Sequence, residues 1–266
     1  MSKNQTNLSI VHKKKGSLAA KKKLNHNSTP TTNYVLSADT PFLAREAYKA
    51  LRTNLIFSLP SRKCKKIIVT SALASEGKST NCLNMAITFA EMDAKVLIID
   101  CDLRRPNVAK LLNVPNAPGL SNLLVGLNDA DEIIHESTYK NLYYMTSGDI
   151  PPNPVELLGS ERMQSLLEEL EADFDYIFID SPPVNVVIDT VVISKYVNGI
   201  VMVALQNSTD KEAMRHSLNQ LEFAGAKVLG FLLNGVMVGK NKNRYYAGKK
   251  YGKGYYSSYR TNGYNQ

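Results

Sequence analysis

Nowhere in this chain do 18 apolar residues follow one another, so no segment reads as a membrane-spanning helix. The amino-terminal lysines lack an apolar stretch behind them, which excludes a signal peptide and sets the expectation of a cytosolic protein. Cysteine is scarce. Cys64, Cys82 and Cys101 have no metal-ligand spacing, and three scattered thiols suit a reducing compartment. Acidic residues are absent from both ends. Residues 1–33 carry seven lysines and no acid, and residues 239–266 carry seven Lys or Arg and no acid. Removing these 14 from the 32 basic residues leaves 18 against 24 acids, so the interior of the chain is near −6 although the whole is +8. Basic ends on an acidic body point to anionic partners such as phosphorylated surfaces, lipid headgroups or nucleic acid; the bland alternative is a pair of solvated, solubilising tails.

The interior is apolar in an ordered way. A helical pattern over Thr40–Ser58 places Phe42, Leu43, Ala47, Ala50, Leu51 and Leu55 at helical spacing. Continuous apolar strands are predicted at Lys66–Ser71, Lys95–Asp100, Leu142–Thr146, Asp175–Asp180, Gly199–Leu205 and Ala226–Leu233. Helices are predicted at Lys78–Met92, Arg105–Leu112, Leu120–Val125, Glu161–Leu170 and Thr209–Ala224. The last opens on a capping box, Thr209 with Glu212, and stops at Gly225. Strands that are apolar throughout and alternate with helices imply an α/β fold, a mostly parallel sheet with helices on both faces. Residues 34–238 are read as this domain, 1–33 as a flexible lysine-rich lead and 239–266 as a disordered tail. Ligands of such sheets bind at the carboxyl ends of the strands.

Three strand ends carry chemistry. The first runs into Ala72-Leu73-Ala74-Ser75-Glu76-Gly77-Lys78-Ser79-Thr80 and then a helix. That is a phosphate loop with Ala72 where the first glycine is expected. Backbone N–H groups of such a loop and the following helix cradle phosphates; Lys78 is placed to reach the β- and γ-phosphates and Ser79 to ligate Mg²⁺. A second strand ends in Asp100-Cys101-Asp102-Leu103-Arg104-Arg105-Pro106, two carboxylates in a place that needs a cation or proton to manage them. A third ends in Asp180-Ser181-Pro182-Pro183, an acid of the kind that meets the metal in phosphate-loop enzymes.

The tail adds a fourth signal. Residues 245–266 hold seven of the fourteen tyrosines: Tyr245, Tyr246, Tyr251, Tyr255, Tyr256, Tyr259 and Tyr264. Phenols normally serve cores and interfaces, but this segment is too polar to fold alone. Either they are substrates, or the tail is a sticky basic appendage.

Together ALASEGKST, VLIIDCDLRRP and FIDSPP resemble the bacterial tyrosine kinases of capsule and exopolysaccharide systems, the BY-kinases. These are phosphate-loop NTPases related to the MinD/ParA ATPases. SGDIPPNPVELL (147–158), LGFLLN (229–234) and the tyrosine cluster extend the resemblance over roughly residues 40–266. The free-standing, CpsD-like kinases of Gram-positive bacteria are the nearest type. The resemblance implies ATP and Mg²⁺ as cofactors and autophosphorylation of the tyrosine cluster. It gives Ala72, Ala74, Ser75, Glu76, Gly77, Lys78, Ser79 and Thr80 to the nucleotide, with Thr80 beside the α-phosphate. It assigns Asp100 as the base for the tyrosine hydroxyl, and Asp102, Asp180 and Ser79 to the metal. Asn234 is expected against adenine. The implied partners are a membrane-anchored activator that regulates chain length, which recruits the kinase to the inner face of the membrane, a cognate tyrosine phosphatase, and copies of the chain in a ring; no nucleic acid is expected. Two positions depart from related patterns. Leu73 stands where MinD/ParA proteins carry a signature lysine, which favours the kinase branch over a partitioning ATPase or a non-enzymatic scaffold. On the first helix the family's E-x-x-R-x-x-R ring motif reads Glu46, Lys49, Arg52 here, and Lys49 lacks the guanidinium fork.

Overall fold

The computed structural model describes residues 34–236; the expectations for the lysine-rich lead and for the tyrosine cluster fall outside them. Seven strands form one sheet in the order β3-β4-β2-β5-β1-β6-β7. They are β1 (Lys65–Ser71), β2 (Val96–Asp100), β3 (His135–Glu136), β4 (Leu142–Met145), β5 (Tyr176–Asp180), β6 (Gly199–Leu205) and β7 (Val228–Asn234). Every pairing is parallel except β3 with β4. The six strands expected from apolar runs are all present. β3 was not expected: it is two exposed residues long and carries no pattern.

Nine α-helices connect the strands among the described residues: α1 (Phe42–Ser58), α2 (Lys78–Ala90), α3 (Val108–Leu112), α4 (Leu120–Leu124), α5 (Ala130–Ile133), α6 (Pro154–Leu158), α7 (Glu161–Glu169), α8 (Asp189–Ile193) and α9 (Lys211–Phe223). Adjacent residues of each central strand point to opposite layers. Ile67 and Val69 pack with Leu83, Phe89 and Phe178 under α1 and α2. Ile68, Ile177 and Ile179 pack with Met163, Leu167 and Leu221 under α7 and α9. Burial on both faces is why these strands are apolar without alternation. Phe89 anchors its layer, with edge-on contacts to Tyr176 (4.6 Å between centroids) and Phe178 (5.1 Å).

The opening of α9 corrects the expected capping box. Asp210 caps the helix, its side chain accepting from Ala213 N, and Thr209 lies outside it. Thr209 Oγ1 instead accepts from Leu205 N at 2.7 Å and donates to the Glu76 carboxylate, a tertiary contact across 133 residues. Both residue types cap helices, so the local pattern could not choose between them. The C-terminal stop is as expected, with Gly225 at φ 69°.

Only Leu55 of α1 is buried. The half-buried Tyr48 and Leu51 also pack against the core, and polar bonds add to them: Tyr48 Oη donates to Asn81 Oδ1 (2.7 Å), Asn84 Nδ2 to Tyr48 Oη (3.0 Å), and Arg52 to the Thr88 carbonyl (2.5 Å). No helix among the described residues is long and apolar enough to cross a membrane.

All three cysteines are free and buried. Burial pushes the Cys64 thiol up to about 11, with Glu171 adding to it, and pushes Cys82 and Cys101 well above the usual range. Native protein is therefore expected to leave Ellman's reagent unreacted, and denatured protein to titrate all three thiols; fast native labelling would contradict this packing.

Candidate active site

Sheet order brings the three motifs together. β5 lies between β1 and β2, with Val69 opposite Asp180 and Asp180 opposite Asp100 in register. The loop after β1, the acids after β2 and the acid ending β5 thus share one carboxyl edge.

The loop from Ala72 to Gly77 is shaped by two positive φ angles, Ser75 at 66° and Gly77 at 90°. A Cβ at Gly77 would run into Asn234 Nδ2 and lie 3.3 Å from Asn81 Nδ2, so glycine is required by space as well as by φ. No side chain caps α2, which leaves its first N–H groups facing the loop. Ala72, fully buried, accepts from Asn185 N at 3.3 Å. Glu76 fastens the other side. Its carboxylate accepts from Leu73 N (3.0 Å) and Thr209 Oγ1, and its carbonyl accepts from Asn234 Nδ2 (3.0 Å). Ser79 is buried, and Ala74, Ser75 and the half-buried Thr80 complete the cradle. Leu73 lies at the rim, 37% exposed.

Lys78 lies at the centre. Its Nζ is 2.8 Å from Asp102 Oδ2, 3.4 Å from Asp180 Oδ1 and 3.3 Å from Ser79 Oγ. Burial disfavours the ammonium, but Asp180, Asp102 and Asp100 outweigh it and hold the lysine above its ordinary value, so it stays charged. Burial is the main force raising the Asp180 carboxyl, with Lys78 opposing it. Burial and then Asp180 push Asp100 up, to about 7, against the hydrogen bonds that favour its ionised form.

The surroundings of Asp100 count against the base role assigned to it from the resemblance. It is completely buried; Oδ1 accepts from Asp102 N (3.1 Å), and Oδ2 from Asn107 N and Val108 N (2.9 Å each). Three loop N–H groups converge on it, so Asp100 fixes the β2–α3 turn. Asp102 also braces that turn, accepting from Arg105 N at 3.0 Å, yet keeps Oδ2 for Lys78.

The carboxylate edge suits a divalent cation. Asp180 Oδ2 is buried and has no hydrogen-bond partner, and the Lys78 ammonium already serves as a stand-in cation for Asp102 and Asp180. The donors are hard oxygens, which suits Mg²⁺. Among the described residues no three His, Cys, Asp or Glu side chains form a ready metal cage; Mg²⁺, which keeps most of its waters, needs none. Ser79, Asp180 and Asp102 fit it.

Other expected residues are placed differently. Asn234, expected against adenine, is occupied in the loop: Nδ2 by Glu76 and Oδ1 by Gly235 N at 2.9 Å. Glu46 and Lys49 pair with each other at 2.9 Å, while Arg52 is turned inward to α2. Two contacts have no local signal in the sequence: Thr209 with Glu76, and Arg104 with Asp189, 85 residues apart.

This fold and site define a phosphate-loop nucleotide-binding domain of the ATPase type. A family model described as an AAA domain matches residues 64–220, more than half of the chain. The tyrosine-protein kinase YwqD of Bacillus subtilis is 35% identical over 226 residues, 85% of this chain and 95% of its own. The kinase domain of the Escherichia coli tyrosine kinase ETK superposes with a TM-score of 0.71 at 34% identity, covering 79% of this chain and 80% of that one. The septum site-determining protein MinD of Pyrococcus horikoshii, solved with Mg-ADP, has a TM-score of 0.55 at 23% identity over 64% of this chain and 70% of its own; that likeness is of fold alone. The chain belongs to the bacterial tyrosine-protein kinases, and its reaction is transfer of a phosphoryl group to protein tyrosine.

Replacing Asp100 by Asn turns an NH₂ group toward backbone N–H donors. Asp100→Asn should cost about 1–3 kcal/mol in urea unfolding. Full stability together with abolished transfer would return Asp100 to the chemistry.

Proposed function

We propose that this kinase phosphorylates the tyrosines of its own carboxyl-terminal cluster, Tyr245 to Tyr264, using ATP and Mg²⁺, and thereby regulates the synthesis and export of a capsular or extracellular polysaccharide. The observation that carries it is the charged Lys78 suspended between Asp102 and Asp180 beside an uncapped helix N-terminus. Lys78 and the first N–H groups of α2 would bind the ATP phosphates, and Lys78 would leave the carboxylates to do so. Asp180 and Ser79 would hold Mg²⁺, with Asp102 reaching it through its waters, and the ion would supply neutralisation of the phosphate charge. Asp102 replaces Asp100 as the carboxylate that takes the phenol proton, because its Oδ2 is released when Lys78 moves. A phenol of pKa near 10 gains from that acceptor, though positioning and charge neutralisation supply most of the rate.

The tail suits this chemistry. Tyr264 follows Asn234 by 30 residues. Thirty residues allow a span of roughly 30 Å, enough to reach a neighbouring copy's site. Each phosphate adds about −1.5 to −2 charge, so full modification reverses the sign of the tail and repels it from the acidic body. Glu46, Lys49 and Arg52 on α1 are assigned to contacts between copies in a ring. A membrane-anchored activator brings this cytoplasmic kinase to the inner face of the membrane, a tyrosine phosphatase resets it, and no nucleic acid is involved.

The test is incubation of the full chain with Mg-ATP and the activator's cytoplasmic fragment, followed by mass-spectrometric mapping. Phosphotyrosine at residues 245–264 is expected, and none in Lys78→Met. Phosphate release with no phosphotyrosine would overturn the autokinase reading in favour of an ATPase switch.

A further inference from the structure

Arg104 leaves the carboxyl end of β2 two residues beyond Asp102. Its Nε donates to Asp189 Oδ1 at 3.2 Å. Asp189, the first residue of α8, is completely buried, while the Arg104 side chain is 40% exposed. The second carboxylate oxygen, Asp189 Oδ2, is also buried and accepts no hydrogen bond. A guanidinium paired only for stability would meet this carboxylate with both prongs and satisfy both oxygens. Here one prong is used, one oxygen is left bare at a cost, and among the described residues neither terminal nitrogen of Arg104 donates a hydrogen bond.

Sheet order separates the strand end that carries this group from the one that carries the loop. The phosphate loop follows β1. Thr209 and Asn234, on the β6 and β7 side, hold the loop through Glu76. Arg104 follows the end of β2, which β5 separates from β1 and its loop, and it stands two residues beyond Asp102, the carboxylate that bonds Lys78. Lys78 and the α2 N-terminus already serve the nucleotide. A fixed guanidinium beyond them fits an anion on the acceptor side.

We propose that Arg104 binds the phosphoryl group as tyrosine receives it, and so holds the phosphotyrosine side chain, while Asp189 is the positioning residue that aims it. This rests on the kinase reading. In the transfer, the phenol oxygen forms a bond to the γ-phosphorus and the bond from that phosphorus to the β,γ-bridging oxygen breaks. ADP leaves with the electron pair, and the phenol proton passes to a carboxylate. Arg104 exchanges no proton; its planar fork matches the phosphoryl oxygens, which a lysine at this position cannot reproduce.

The test uses phenyl phosphate, the phosphotyrosine side chain without its peptide, titrated into the full-length protein saturated with Mg-ADP. Wild-type protein should bind it. Arg104→Gln and Arg104→Lys should each weaken it at least about tenfold, the worth of one charge-assisted bidentate pair. Asp189→Asn should weaken it as well, by loosening the arginine, and the double variant should be no worse than Arg104→Gln. Mg-ADP affinity of the arginine variants should stay at the wild-type value. Absence of phenyl phosphate binding in the wild type, equal binding by Arg104→Gln, or a parallel loss of Mg-ADP affinity would each overturn the proposal. Arg104-dependent binding in a protein that forms no phosphotyrosine would uphold the site and sink the autokinase reading, so the two fail separately.

Discussion

One buried ammonium governs this site. Lys78 is nearly enclosed by protein and bonded to Asp102, with Asp180 just beyond and Asp100 behind. Carboxylates this close in low dielectric cannot all stay ionised without a cation between them. The same need makes the edge receptive to Mg²⁺ and lets the lysine exchange partners when phosphates arrive. Everything else in the fold keeps that ammonium and those acids at one sheet edge.

The loop is fastened from both sides. On one flank Val184 N and Asn185 N bond the Ser71 and Ala72 carbonyls, tying the loop to the segment after β5. On the other, Glu76 is caught by Thr209 and Asn234. Beneath, Asn81 Nδ2 bonds the Gly77 carbonyl at 2.9 Å, and Asn81 Oδ1 meets Tyr48 of α1. A helix that buries one leucine is thereby coupled to the phosphate cradle by polar contacts.

The central strands and the three acidic or basic motifs were legible in the sequence because each is local: an apolar run, a glycine before Lys78, an acid ending a strand. Sheet order could not be read from any run, yet it is what puts β5 between β1 and β2. β3 and the short helices α5, α6 and α8 escaped, since elements of two to five residues carry little period, although α3 and α4, equally short, were expected from their apolar residues. Thr209 was misread because capping and tertiary bonding use the same hydroxyl. The bracing of Asp100 was hidden for a different reason. The groups that occupy it are backbone N–H donors of residues 102, 107 and 108, and a backbone donor leaves no trace in residue identity. Arg104 stood in a motif all along, but its partner Asp189 was visible only in three dimensions.

The central claim, that the Lys78 charge balances buried carboxylates in the nucleotide-free protein, has a direct measurement: thermal unfolding of wild type and Lys78→Met without nucleotide or metal, near pH 8 and near pH 5. Asp100 and Asp180 carry raised values in the folded protein, so their contribution to stability is fully present in acid and is lost as pH rises through those values. Removing the ammonium raises them further. The variant should therefore lose about 3–5 kcal/mol near pH 8, the cost of stranding a buried charge, and recover much of it near pH 5 as the carboxylates take protons. Equal melting temperatures at pH 8, or a deficit that does not shrink in acid, would contradict the account.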